Sequence, residues 1–340
     1  MSKKSVNPAR SRTVKKARRR LDWTRRHARY TLHERLLSNR TSRRAFRRDD
    51  RQLTPAQQEA VQRLREDGIA VAHFDELVGD PGLWAELAGD CERFVSAAEK
   101  PQSEGDGDGT DAGSGGSDKD AYLVRRYPRI SRRRRQQLAK QGQPLDDADA
   151  RLRTQDPLLR LGLSEQVLDV VNAYRGLRTK LVDVDQWYTI PVGDGAGRIK
   201  SQNWHRDPED LHVVKVFVYF SDVDAEAGPF QYIPGSQPDG RHGDLWPWTF
   251  RGDNYPSQEQ MEERFPQGQQ FTAQGRRGTI ILCDTSGFHR GGFARSKPRV
   301  LSVYTYVSPA SLRARKARRF AVDSPDEQVQ LTEDARFALT

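Results

Sequence analysis

Cysteine is nearly missing from this chain: Cys91 and Cys283 are the only two in 340 residues. No disulfide framework is on offer, and a reducing compartment is the simpler expectation. Long apolar runs are missing too. No stretch approaches the roughly 20 residues that a membrane span requires, and the basic N-terminus has no apolar segment behind it of the kind a secretory signal needs. The expected location is the cytoplasm. No internal repeat is visible, which excludes solenoids and propellers. Apolar residues reach only 35% overall, but the deficit is concentrated in three segments that need not enter a core: the first fifty residues, a Gly/Asp/Ser tract and an Arg-rich stretch.

What is abundant is positive charge, unevenly placed. The formal charge is +10, yet residues 1–50 hold 18 Lys/Arg against 4 Asp/Glu, a net +14, so the rest of the chain sums to −4. The basicity belongs to an appendage. Residues 1–50 are therefore expected to form a flexible arm, solvated by default, with an acidic partner or nucleic acid as its alternative occupant. Residues 51–310 are expected to form one body and 311–340 a C-terminal extension.

Local chemistry outlines the elements of that body. Thr54 as N-cap, Pro55 in the first turn, Gln57 completing a capping box and Gly68 as a stop predict a helix. Ile69 to Phe74 reads as a strand. From Pro81 to about Ala98, Leu83, Leu87, Cys91 and Phe94 share one helical face. Residues 102–119 (QSEGDGDGTDAGSGGSDK) read as a flexible loop. Glu104, Asp106, Asp108 and Gly109 imitate a calcium loop, but Gly115 stands where a bidentate Glu is required, so the EF-hand reading is excluded. Arg125 to Arg135 form a second basic cluster, expected on a helix continuing to about Gln141, either solvated or touching a phosphate-bearing substrate. A further helix is expected over Ser164 to Tyr174, with Val167, Val170, Val171 and Tyr174 on one side. From Lys180 onward the pattern is strands: Lys180 to Ile190, Val213 to Phe220, Gly278 to Asp284 and Arg299 to Val307 are rich in Val, Ile, Phe, Tyr and Thr. They predict a curved antiparallel sheet or sandwich.

His205 and Asp207 lie two positions apart in QNWHRDPED. In an extended chain residues i and i+2 project to one face, so an imidazole and a carboxylate can converge on one ion; a surface His beside an acid is the alternative. His-Arg-Asp also imitates a kinase catalytic loop, but position 212 is His where Asn is needed, and the Gly-rich loop and D-F-G are missing. The context favours the metal. The strand KVFVYFSDVD follows, and about 80 residues later His289 ends GTIILCDTSGFH in a Gly-flanked turn. Pro298-Arg299 then opens the final apolar strand.

In WHRD (204–207), KVFVYFSDVDAEAGPFQYIPGSQ (215–237), FHRGG (288–292) and KPRVLSVYTY (297–306), the sequence resembles the phytanoyl-CoA dioxygenase family, over roughly Leu64 to Pro309 and most strongly from Lys180. The resemblance implies a mainly β fold with flanking helices, a double-stranded β-helix or jelly roll, and the use of Fe(II), 2-oxoglutarate and O2. It makes His205, Asp207 and His289 the metal ligands and Arg299 the partner of the distal carboxylate of 2-oxoglutarate. It places Gln186 near the same co-substrate, with an ordinary strand amide as the alternative. Gln237 departs from the His that the family often carries after its PGS turn. Two neutral imidazoles and one carboxylate suit one face of octahedral iron(II), leaving three adjacent positions for co-substrates. A guanidinium matches a carboxylate with two parallel hydrogen bonds and keeps its charge when buried. Retention of Asp207 favours hydroxylation over halogenation, which needs that position vacated. Lys215 is expected to snorkel at the sheet edge, with a reach toward substrate as its alternative, and Trp204 to pack beside the metal pocket. The implied activity is oxidation of a C–H bond in a small-molecule substrate. A nucleic-acid-directed oxygenase using the basic arm and a non-catalytic jelly-roll binding module are the rivals.

Overall fold

The computed structural model describes residues 37–99, 123–126, 152–192, 198, 200–245, 255–311, 313–314, 320–321 and 331–340. The loop expected at 102–119, the first 36 residues of the arm and the Arg-rich run beyond Arg126 lie outside them.

Helices α1 (Arg40–Arg48), α2 (Pro55–Asp67), α3 (Phe74–Leu77), α4 (Pro81–Ala98), α5 (Pro157–Leu163) and α6 (Glu165–Arg175) precede most of the strands. α7 (Gln258–Arg264) and α8 (Glu333–Leu339) come later. The strands are β1 (Ile69–His73), β2 (Leu123–Arg125), β3 (Leu152–Arg153), β4 (Lys180–Thr189), β5 (Val214–Tyr219), β6 (Phe230–Tyr232), β7 (Phe271–Ala273), β8 (Thr279–Asp284), β9 (His289–Arg290), β10 (Arg299–Val307) and β11 (Phe320–Ala321). The chemistry expected of α2 is present. Thr54 and Gln57 form a reciprocal capping box, and Gly68 ends the helix at φ +77°, a left-handed conformation that favours glycine.

Six strands form one antiparallel sheet in the order β1-β8-β5-β10-β4-β2, and three form a second in the order β7-β6-β9. A bridge between His205 and His289 extends the smaller sheet by one more segment. Phe217, Tyr219, Phe230, Tyr232, Ile281, Leu301 and Val303, contributed by both sheets, fill the space between them. This is the double-stranded β-helix, or jelly roll. The other face of the large sheet is covered by helices: Val61 and Leu64 of α2, Leu87 of α4, Leu159 of α5 and Val170 of α6 pack with Val216, Val218 and Leu282 in one cluster. Each such Val or Leu contributes about 1.5–3 kcal/mol by leaving water.

The body extends beyond the expected boundaries of 51 and 310. Asn39 is fully buried and its Oδ1 accepts a bond from the Ala310 amide at 3.1 Å, while Ser42 Oγ donates to the Arg178 carbonyl at 2.6 Å. Arg178 in turn pairs with Asp49 at 2.7 Å and with Asp334 of α8 at 2.7 Å. Ala335 and Ala338 of α8 join the helix-side core. Counting charge over fifty residues hid this, because α1 is basic along its exposed faces and its anchors are a buried Asn and Ser. Of the second basic cluster only Arg125 and Arg126 are described, and there the chain is not yet helical: Leu123–Arg125 is a strand paired with β4.

Candidate metal centre

The site sits between the two sheets and is fixed by backbone. His205 N donates to His289 O at 2.9 Å and His289 N returns a bond to His205 O at 3.0 Å, so the two histidines are locked side by side. Asp207 N donates to Thr285 O at 2.9 Å, which ties the H-x-D segment to the turn after β8. That turn is tight. A Cβ on Gly287 would fall 2.0 Å from the Tyr232 hydroxyl oxygen, so the glycine lets the turn close over β6.

These bonds bring one ligand atom from each of His205, Asp207 and His289 within 4.8 Å of one another, all three residues being buried. His205 Nε2 lies 3.9 Å from Asp207 Oδ1, and His289 Nε2 3.6 Å from Asp207 Oδ2. The other ring nitrogens are engaged: His205 Nδ1 lies 2.8 Å from Asn203 O, and His289 Nδ1 3.0 Å from Gly287 O. A carbonyl can only accept, so each Nδ1 carries the proton and each Nε2 turns a lone pair inward. Burial lowers the pKa of both imidazoles, and for His289 burial and the neighbouring His205 push it down to about 3. Burial alone would raise Asp207, but Lys215, His289 and His205 outweigh it and hold the carboxyl well below its ordinary range. Two neutral imidazoles and one carboxylate are the donor set of a mononuclear iron(II) centre.

Arg299 heads the inner face of β10, which continues through Leu301 and Val303. It is 5% exposed, and its Nη1 donates to Gly228 O. Thr189, directly opposite in the β4–β10 register, is 2% exposed, and its hydroxyl has no hydrogen-bond partner among the described residues. A buried guanidinium beside an unsatisfied hydroxyl is a fitting cradle for a carboxylate.

Gln186 does not join this group, which corrects the expectation for it. Strand alternation turns Asp185 and Trp187 inward and Gln186 outward, opposite Ser302 and next to helix α4. Its Oε1 accepts from Arg126 Nη1 at 3.0 Å, and Arg126 also pairs with Asp90 of α4. Trp204 is on the wrong side for the same reason, packed outside the small sheet with Ile233, Met261, Phe265 and Phe288 and covered by Arg290 at 4.4 Å. Arg206 shares that outer side and bonds the Ser236 and Ser286 carbonyls at 2.7 and 2.6 Å.

Two residues at the centre, Glu209 and Tyr255, were not singled out by the sequence, and a third, Lys215, was expected elsewhere. Lys215 does not snorkel at an edge: its Nζ lies 2.6 Å from Asp207 Oδ2, and the surrounding carboxylates keep it charged despite burial. Glu209, two residues past Asp207, has a buried Oε2 without a hydrogen-bond partner among the described residues, while its Oε1 meets Arg313 at 3.1 Å. Tyr255 stacks on His205 at 5.4 Å. A signal existed for two of them: Glu209 continues the i, i+2 series, and Lys215 interrupts an otherwise apolar run.

The phytanoyl-CoA dioxygenase family model matches residues 88–299, and the chain belongs to that family. It is an iron- and 2-oxoglutarate-dependent oxygenase. No curated protein matches the sequence. Among solved structures, the epimerase SnoN in complex with Fe3+, alpha ketoglutarate and nogalamycin RO is 19% identical over 74% of this chain and 84% of its own, with a TM-score of 0.45. EctD from S. alaskensis with 2-oxoglutarate and 5-hydroxyectoine is 16% identical over 76% and 79%, with a TM-score of 0.47. HygX from Streptomyces hygroscopicus with nickel and 2-oxoglutarate bound is 17% identical over 76% and 88%, with a TM-score of 0.43. Among the described residues no helix is long and apolar enough to cross a membrane.

Proposed function

We propose that His205, Asp207 and His289 hold Fe(II), that Arg299 with Thr189 receives the distal carboxylate of 2-oxoglutarate, and that the enzyme hydroxylates a C–H bond of a small-molecule substrate. The overall balance is substrate C–H, O2 and 2-oxoglutarate giving substrate C–OH, succinate and CO2. One observation carries this reading: two imidazoles with their Nε2 lone pairs fixed inward converge with one ionised carboxylate in a buried space.

Bound iron supplies the coupling of O2 reduction to loss of CO2 from the 2-oxo acid. The remaining roles belong to the chain. The backbone bridge between His205 and His289 fixes the ligand positions before metal arrives, so little ordering is left to be done on binding. The triad contributes a single negative charge, which leaves a bound divalent ion positive enough to attract a dianionic co-substrate. Arg299 orients that co-substrate by its far end, and the apolar filling around Phe217 and Phe230 excludes water from the near end.

The test is an anaerobic titration of the metal-free protein with Fe(II) and 2-oxoglutarate, followed by a search for compounds that stimulate succinate release. A visible absorption band that requires both additions is expected, and its absence would favour a non-catalytic jelly roll. Residues 1–36 lie outside the described residues, and removing these alone, with the docked α1 left in place, tests their contribution. A metabolite enzyme keeps its turnover, whereas a nucleic-acid enzyme loses affinity and salt dependence.

A further inference from the structure

β5 presents three side chains to the space between the sheets. Phe217 and Tyr219 belong to the apolar filling. The third is Lys215, opposite Cys283 of β8 and Thr305 of β10, with its side chain only 18% exposed and its Nζ 2.6 Å from Asp207 Oδ2. An ammonium so placed needs an anion. Two other carboxylates, Glu209 and Asp183, lie within its electrostatic reach, and either would serve a lysine that merely needed a counter-ion. The close contact is instead with the one carboxylate of the ligand triad.

We propose that Lys215 is a positioning residue of the metal centre: its ammonium occupies one oxygen of Asp207, so that the carboxylate offers the metal a single oxygen. The proposal rests on the iron-site reading above and deepens it. A carboxylate free at both oxygens can take two coordination positions, and the second would come from those that 2-oxoglutarate and O2 require. The lysine prevents this, and it adds a fixed positive charge near the place where the dianionic co-substrate must sit. The cost falls on the metal, which shares Asp207 with a competing cation. Lys215 therefore sets metal affinity and co-substrate affinity against each other.

The test uses Co(II) alone, followed by visible absorption, and then 2-oxoglutarate added to the Co(II) protein, with no turnover involved. Lys215→Met keeps the stem and removes the ammonium. Relative to the unaltered protein, it is expected to bind Co(II) about tenfold or more tightly and 2-oxoglutarate about tenfold or more weakly. Lys215→Arg keeps a cation on Asp207 and is expected to stay within about threefold on both measures. A lysine that only fills space would move neither quantity. Unchanged or weakened Co(II) binding in a folded Met variant overturns the proposal; if that variant does not fold, Lys215→Gln gives the same reading. Failure of the unaltered protein to bind Co(II) would remove the metal site itself and the proposal with it, which is distinguishable from an intact site indifferent to Lys215.

Discussion

On its helix-facing side the six-stranded sheet presents Val216, Val218, Ile280, Leu282 and Tyr304 to α2, α4, α5 and α6. On its inner side, alternate residues of the same strands are Lys215, Phe217, Tyr219, Ile281 and Val303, facing the small sheet and the ligand triad. The two faces are interleaved one residue at a time, so neighbours in sequence answer to different demands. The outer face needs volume and apolarity, and any well-fitting aliphatic satisfies it. The inner face needs particular atoms at particular positions. Stability and chemistry are thereby separable along a single strand, and substitutions on the two faces should have nearly orthogonal effects.

Asp207→Ala is the strongest inner-face test. It should reduce 2-oxoglutarate turnover by ~10³-fold or more, because one of the three proposed ligands is gone. The fold should persist, since Asp207 contributes no apolar packing; full turnover in this variant would remove the carboxylate from the mechanism. Leu282→Ala is the outer-face counterpart. It should lower unfolding free energy in urea by about 2–5 kcal/mol through lost burial and an unfilled cavity, with 2-oxoglutarate affinity left within about twofold. A Leu282 variant that lost co-substrate binding while still folded would show that the faces are coupled.

The same interleaving explains how much could be read from the sequence. The four principal strands and the α2 cap were legible because apolar runs and capping chemistry are local. The convergence of His205, Asp207 and His289 was anticipated from the H-x-D spacing together with the family resemblance. Gln186 and Trp204 were misplaced because a one-residue error in strand phase moves a side chain to the opposite face. Pairing across strands fixes that phase: Gln186 is set by Ser302, which no local pattern reveals. The strands of the small sheet, two or three residues long, carry too little periodicity to register. Docking of α1 depends on Arg178 and Asp334, residues more than a hundred positions away.

A third environment separates His212 from the two histidines of the triad. His212 is buried like His289 but meets acids at both nitrogens: Nδ1 lies 2.6 Å from Asp284 and Nε2 3.2 Å from Asp239. Tyr174 also donates to Asp284, at 2.7 Å. Burial and Arg175 depress the imidazole, yet the two carboxylates outweigh them and raise its pKa to about 9. Because the folded value lies above the unfolded one, the stabilisation is complete below about pH 6.5 and is lost as pH rises through about 9. Its full size is roughly 3 kcal/mol. Urea unfolding at both ends of that window should show stability falling with pH in the unaltered protein and a flatter response in His212→Gln. Equal slopes in the two proteins would mean that His212 does not carry the charge.

The smallest effect should come from Gln186→Leu. Gln186 Oε1 accepts from Arg126 on the outer side, while its Nε2 has no hydrogen-bond partner among the described residues. Leucine loses one hydrogen bond but also removes an unsatisfied buried donor, and these terms nearly offset, so stability should change by less than about 1 kcal/mol. Arg126 keeps Asp90, so no uncompensated charge is left behind. Because the side chain points away from Arg299 and Thr189, 2-oxoglutarate affinity should not move. Thr189→Val is the matched inner-face change, similar in volume and three positions further along β4. It removes a hydroxyl from the proposed co-substrate cradle and should weaken 2-oxoglutarate by about 1 kcal/mol or more. A larger loss of affinity for Gln186→Leu than for Thr189→Val would invert the assignment of faces on β4.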